Sequence, residues 1–169
     1  MKKKNSSKSP SQPSKKGFSW AAPAGVVLVL AMAGFYFFST SHVGAEDKIL
    51  VYKSEFCGCC GGWVKHLKEN GFSVEVKNSE DMDVEKRRLG VPEAMDSCHT
   101  GIINGYLIEG HVPAADIRKL LAERPSGDGI AAPGMPMGSP GMEVPGEKAD
   151  PYDVLLFSKN GKTSIFSKH

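Results

Sequence analysis

Residues 49–67 read ILVYKSEFCGCCGGWVKHL, and this stretch decides the fold. Ile49–Lys53 is a short apolar, β-rich run with the length and composition of a buried strand. Trp63, Val64 and Leu67 recur at helical spacing, and Asn70-Gly71 supplies a stop, so a helix is predicted over Gly61–Asn70. Cys57, Cys59 and Cys60 sit between the two. Thiols at a helix N-terminus face unpaired N–H groups and the positive end of the helix dipole, which stabilises a thiolate. Gly58, Gly61 and Gly62 let the backbone turn tightly and leave the sulfurs uncovered.

Strand, C-x-x-C and helix in that order form a thioredoxin-like arrangement. Working outward, Phe72–Val76 alternates as a strand, and Asp81–Leu89 reads as a short charged helix ended by Gly90-Val91-Pro92. Thr100–Ile103 and Tyr106–Glu109 flank Asn104-Gly105, a strong hairpin signal. Pro113 then opens a helix with Ile117, Leu120 and Leu121 on its apolar face, and Pro125 lies past its end. Gly127–Asp150 is rich in Pro and Gly and reads as an extended loop. Tyr152–Phe157 and Thr163–Phe166 flank Asn160-Gly161 as a second hairpin. The expected fold is therefore α/β: a small, mixed, thioredoxin-like sheet with flanking helices and a C-terminal β-hairpin. Residues 46–126 would be its core, 127–150 a Met/Pro/Gly-rich loop, and 151–169 the hairpin of the same domain.

The chain has 169 residues and a net charge of +2. Its lysines at 2, 3, 4, 8, 15 and 16 alternate with serine and proline. That composition cannot bury a core, so residues 1–17 read as a disordered basic tail. The tail precedes an apolar segment, 18–38 (FSWAAPAGVVLVLAMAGFYFF), long enough to cross a bilayer. Its charge fits a cytoplasmic flank and not a nucleic-acid-binding arm. The segment is either an inner-membrane anchor or a signal peptide cleaved near Ala45, and its length favours the anchor. Both place the rest of the chain in a non-cytoplasmic compartment, the periplasm, where disulfides persist.

Cys98, beside His99, completes a set of four cysteines. A structural disulfide pair fits poorly, because adjacent Cys59 and Cys60 pair badly with each other. A four-cysteine zinc site fits poorly too, because C-x-C-C plus one distant cysteine is unlike a zinc ribbon. Crowded soft thiolates select Cu(I). Met135, Met137 and Met142 carry thioethers in a loop that lacks helical spacing, and they either extend a Cu(I) site or cover an apolar patch. His99 is a candidate ligand by adjacency. His66 reads as packed or solvated, and His111 as a local cap or turn residue. His42 and His169 carry no signal.

The segments CGCCGGWVKHL, GVP, SCHTGIINGYLIEGHVPAADIRKLL and PGMPMGSPGME together resemble the CopG-like copper-resistance proteins, over roughly Lys48 to Phe166. The resemblance implies a thioredoxin-like fold, export, and copper binding through the cysteines with a redox role. By that match Cys57, Cys59, Cys60 and Cys98 take the family's cysteine positions. The expected function is a periplasmic copper-resistance protein holding Cu(I) on these thiolates, with His99, Met135, Met137 and Met142 as further candidates. Its partners would be copper ions, other periplasmic copper-handling proteins and the inner membrane. Two alternatives are a copper chaperone and a thiol–disulfide oxidoreductase acting on proteins. The latter would use Cys57 as nucleophile and Cys60 as resolving thiol.

Overall fold

The computed structural model describes residues 48–169. The tail at 1–17, the apolar segment at 18–38 and the cleavage candidate near Ala45 lie outside the described residues. Among the described residues no helix is long and apolar enough to cross a membrane.

The chain runs β1 (Lys48–Lys53), α1 (Gly58–Glu69), β2 (Ser73–Asn78), α2 (Met82–Leu89), a 3₁₀ turn (Glu93–Met95), β3 (His99–Ile103), β4 (Tyr106–Gly110), α3 (Ala114–Glu123), β5 (Gly129–Ala132), β6 (Asp153–Phe157) and β7 (Thr163–Lys168). The strands form one seven-stranded mixed sheet in the order β2-β1-β3-β4-β5-β6-β7. β1 and β2 are parallel, so their connection must cross over, and α1 is that crossover. β3 returns antiparallel to β1 and sets His99 opposite Lys53. β3 and β4 form the hairpin, with Asn104 and Gly105 at φ 47° and 87°. A two-residue turn that keeps the twist of its strands needs positive φ at both positions, which Asn-Gly tolerates.

Alternation along β4 and β5 gives the sheet two apolar faces. On one, Ile108 and Ile130 join Ile49, Val51, Trp63, Leu67, Ile117 and Leu120, all without solvent exposure. On the other, Leu107 and Ala131 join Val91, Met95 and Phe157. Trp63 anchors α1: its ring is buried and its Nε1 donates to the Val112 carbonyl at 2.8 Å. Cutting a buried tryptophan to alanine costs about 3–5 kcal/mol, so α1 is held firmly against the sheet.

Three details depart from the sequence reading. α1 starts at Gly58, three residues early, because the Cys57 sulfur itself caps it, accepting from Cys60 N at 3.3 Å. Second, the stretch read as loop from Gly127 contains β5, fully buried and parallel to β4. The small residues of β5 are a packing requirement: a Cβ on Gly129 would run into the Leu107 carbonyl and the Phe157 ring. β5 also pairs with β6, so the C-terminal hairpin extends the one sheet. Third, the charged helix α2 turns one lysine inward: Lys86 is 4% exposed and ion-pairs with the buried Glu109 of β4.

Candidate metal centre

The three-cysteine turn forms at the mouth of α1. Cys57 and Cys60 are joined as a disulfide across a Cα–Cα distance of 5.4 Å. Cys59 is a free thiol whose sulfur lies 3.5 Å from that of Cys57. Cys60 is fully buried, while Cys57 and Cys59 are half-buried.

The sheet brings Cys98 to this turn. Because β3 is antiparallel to β1, the start of β3 lies beside the end of β1, where the turn begins. The Cys60 sulfur stands 3.8 Å from the Cys98 carbonyl oxygen. The sulfurs of Cys57, Cys59, Cys60 and Cys98 all lie within 4.8 Å of one another.

Two imidazoles back the Cys98 sulfur. His99 Nδ1 is 3.2 Å from it and His111 Nε2 is 3.0 Å from it. His111 Nδ1 lies 2.8 Å from the Pro140 carbonyl. A carbonyl only accepts, so Nδ1 carries the proton and the Nε2 lone pair faces the thiol. His99 is fully buried, 4.3 Å from the Trp63 ring and edge-on to His111 at 4.9 Å. Its Nε2 has no hydrogen-bond partner, and an orphaned buried nitrogen of this kind needs an explanation. Burial, with the neighbouring His111 adding to it, holds His99 well below the ordinary imidazole range. His111 is lowered by burial as well, against the hydrogen bond to Pro140. Both rings are therefore neutral at pH 7 and able to ligate. Cys98 moves the other way: burial, then the adjacent Cys59, pushes its thiol up to about 12. Cys98, His99 and His111 form a second group of potential ligand atoms within 4.8 Å, so Cys98 belongs to both groups.

The Pro/Gly loop seats on this centre. Gly138 N donates to the Met142 carbonyl at 3.0 Å, and Met142 N donates to the Ser139 carbonyl at 2.8 Å, which closes a tight turn. Gly141, at φ 86°, lies against the first turn of α1. A Cβ there would sit 2.6 Å from Trp63 N and 2.7 Å from the Cys59 carbonyl, so only glycine fits. Met137 and Met142 are half-buried, and Met135 is 44% exposed.

The sequence reading placed His111 at a local turn, and the structure corrects this by setting it against Cys98. The available signal was an imidazole at the free end of β4, the strand that pairs with the one following Cys98. Of the two readings of His66, packed or solvated, the structure shows a half-buried ring whose Nε2 accepts from Ala114 N at 3.1 Å and caps α3.

A family described as a protein of unknown function, DUF411, matches residues 95–142. No curated protein matches the chain. Two solved structures named copper resistance protein CopG, form 1 and form 2, are 49% and 50% identical to it. Each match has a TM-score of 0.68 and covers 73% of this chain and 98% of the other. With identity of that level over almost three quarters of its length, the chain belongs to the CopG-like copper-resistance family.

Proposed function

We propose that this protein binds copper outside the cytoplasm and protects against it, holding Cu(I) on Cys57, Cys59, Cys60 and Cys98. The observation that carries this reading is the convergence of four sulfurs within 4.8 Å. The donor set suits the ion: the two ligand groups among the described residues contain only thiols and imidazoles, which are soft to intermediate donors. The relatives' name, copper resistance protein, agrees with it. A thioredoxin-like core is supported by the parallel β1–α1–β2 unit beside the antiparallel β3–β4 pair, with the C-x-x-C at the mouth of α1. The charge step before the apolar segment 18–38 supports export and an anchor.

The Cys57–Cys60 disulfide couples metal load to redox state. In the oxidised form two of the four sulfurs cannot act as thiolate ligands. In the reduced form, the two thiolates can give one electron to each of two Cu(II) ions, forming two Cu(I) ions and one disulfide. When metal displaces the Cys98 proton, His111 Nε2, which already faces that thiol, can take it and pass it on towards solvent.

Anaerobic titration of the reduced protein with Cu(I), counting metal per protein by mass spectrometry, tests the reading. Cu(I) should bind the reduced form tightly and the disulfide form weakly. Equal binding by both forms defeats the four-thiolate site. A second reading, thiol–disulfide exchange with other proteins, is favoured by the same disulfide at a helix mouth. Cys59, 3.5 Å from Cys57, competes with any such partner inside the motif. Rapid reduction of insulin disulfides by the reduced, metal-free protein would favour this second reading.

A further inference from the structure

Glu109 is the most completely buried carboxylate among the described residues, and the metal chemistry does not use it. Its Oε1 accepts from Lys86 Nζ of α2 and from Ser97 N at 2.7 Å, and its Oε2 accepts from Thr100 Oγ1 at 2.6 Å. Ser97 and Thr100 bracket Cys98-His99. Ser97 and Cys98 precede β3 and have no strand ladder of their own, so the Ser97 bond to Glu109 is their tether to the sheet. Gly110, at φ 70°, presses the same segment against β4: a Cβ there would lie 2.5 Å from Ser97 Oγ. Glu109 also stands two residues before His111 on β4. One carboxylate thus ties together the two chain segments that supply Cys98, His99 and His111.

A buried carboxylate with three donors is costly to desolvate and costly to disturb. Lys86 sets its ammonium against Oε1, and its ion pair ties α2 to the same carboxylate. Helix α2 therefore has a role in the site, although none of its residues touches a sulfur.

We propose that Glu109, hydrogen-bonded to Lys86, Ser97 and Thr100, is a positioning residue that fixes the Cys98 sulfur for metal capture by the four-thiol turn. The proposal rests on the copper reading above. It predicts that Glu109 acts through Cys98, so their substitutions must not add.

The test measures Cu(I) retention against a competing chelator in the full chain as wild type, Cys98→Ala, Glu109→Gln and the double variant. Glu109→Gln should lower retention about tenfold or more in the wild-type background, the size expected for losing a buried charge-assisted bond. In the Cys98→Ala background the same change should alter retention by less than about twofold, because no sulfur remains to be misplaced. Equal losses in both backgrounds mean a merely structural role and overturn the proposal, as does wild-type retention in Glu109→Gln. If Cys98→Ala itself retains copper normally, the four-thiol site has failed. The alkylation rate of Cys98 in the reduced, metal-free protein then decides the positioning role alone. That rate should rise about tenfold in Glu109→Gln, and an unchanged rate overturns the proposal. If Glu109→Gln does not fold, Lys86→Met takes its place in each arm with the same expected pattern and the same overturning results.

Discussion

The two walls of the metal centre differ in how they are built and in the proton state they impose. The turn Cys57–Cys60 is local: three sulfurs, one helix mouth, and a disulfide already closed between two of them. The facing wall is assembled from Cys98 just before β3, His99 at its start, His111 just past β4 and a loop carbonyl (Pro140). There a thiol pushed up to about 12 is held against two neutral imidazoles. The turn already holds a disulfide between two of its sulfurs, whereas the wall holds its sulfur as a thiol.

The largest expected effect comes from removing the sulfur of the wall. Cys98→Ser should weaken Cu(I) binding by more than about 100-fold, since a neutral hydroxyl replaces a thiolate and supporting residues alone are worth 10–100-fold. Chelator competition measures it. Unchanged affinity would break the comparison outright and leave a site made by the turn alone. His111→Ala should follow, with a loss of about tenfold or more, although the sequence reading gave this residue no part. A loss below about twofold would reduce the wall to a single sulfur.

The proton state sharpens the contrast. Burial raises Cys98 from its ordinary 9.0 to about 12 in the folded protein. A raised folded pKa contributes stability that is complete below the unfolded value and is lost as pH rises through the folded one. The melting temperature of the metal-free protein should therefore fall between about pH 9 and 12, and fall less in Cys98→Ala. Tyr152, also raised to about 12 by burial, titrates in the same window, so the difference between the two proteins is the quantity to read. Identical slopes would mean that the wall does not hold the proton.

The smallest effect concerns the loop over both walls. Changing Met135, Met137 and Met142 together to leucine keeps apolar volume nearly constant, at less than about 1.5 kcal/mol per site. Copper retention should fall while the apo melting temperature holds. If only stability falls, the loop is a cover and takes no part in the metal chemistry.

The sequence by itself determined whatever depends on neighbours a few residues apart. The turn of three thiols at a strand–helix junction, the Asn104-Gly105 hairpin with its positive φ angles, and the stop after α1 all follow from local sterics, so they were legible. The involvement of Cys98 was legible through thiol chemistry and the family resemblance. Only the tertiary structure decided the rest. β5 was hidden because Gly129, read locally as a breaker, is small to fit beneath the Leu107 carbonyl and the Phe157 ring. His111 was misread because its partner sulfur comes from a distant segment, just before β3. Within the short charged helix α2 nothing local marks Lys86, which lies buried against Glu109. Burial and pKa are set by how distant segments pack and exclude water, and local pattern carries no record of that packing.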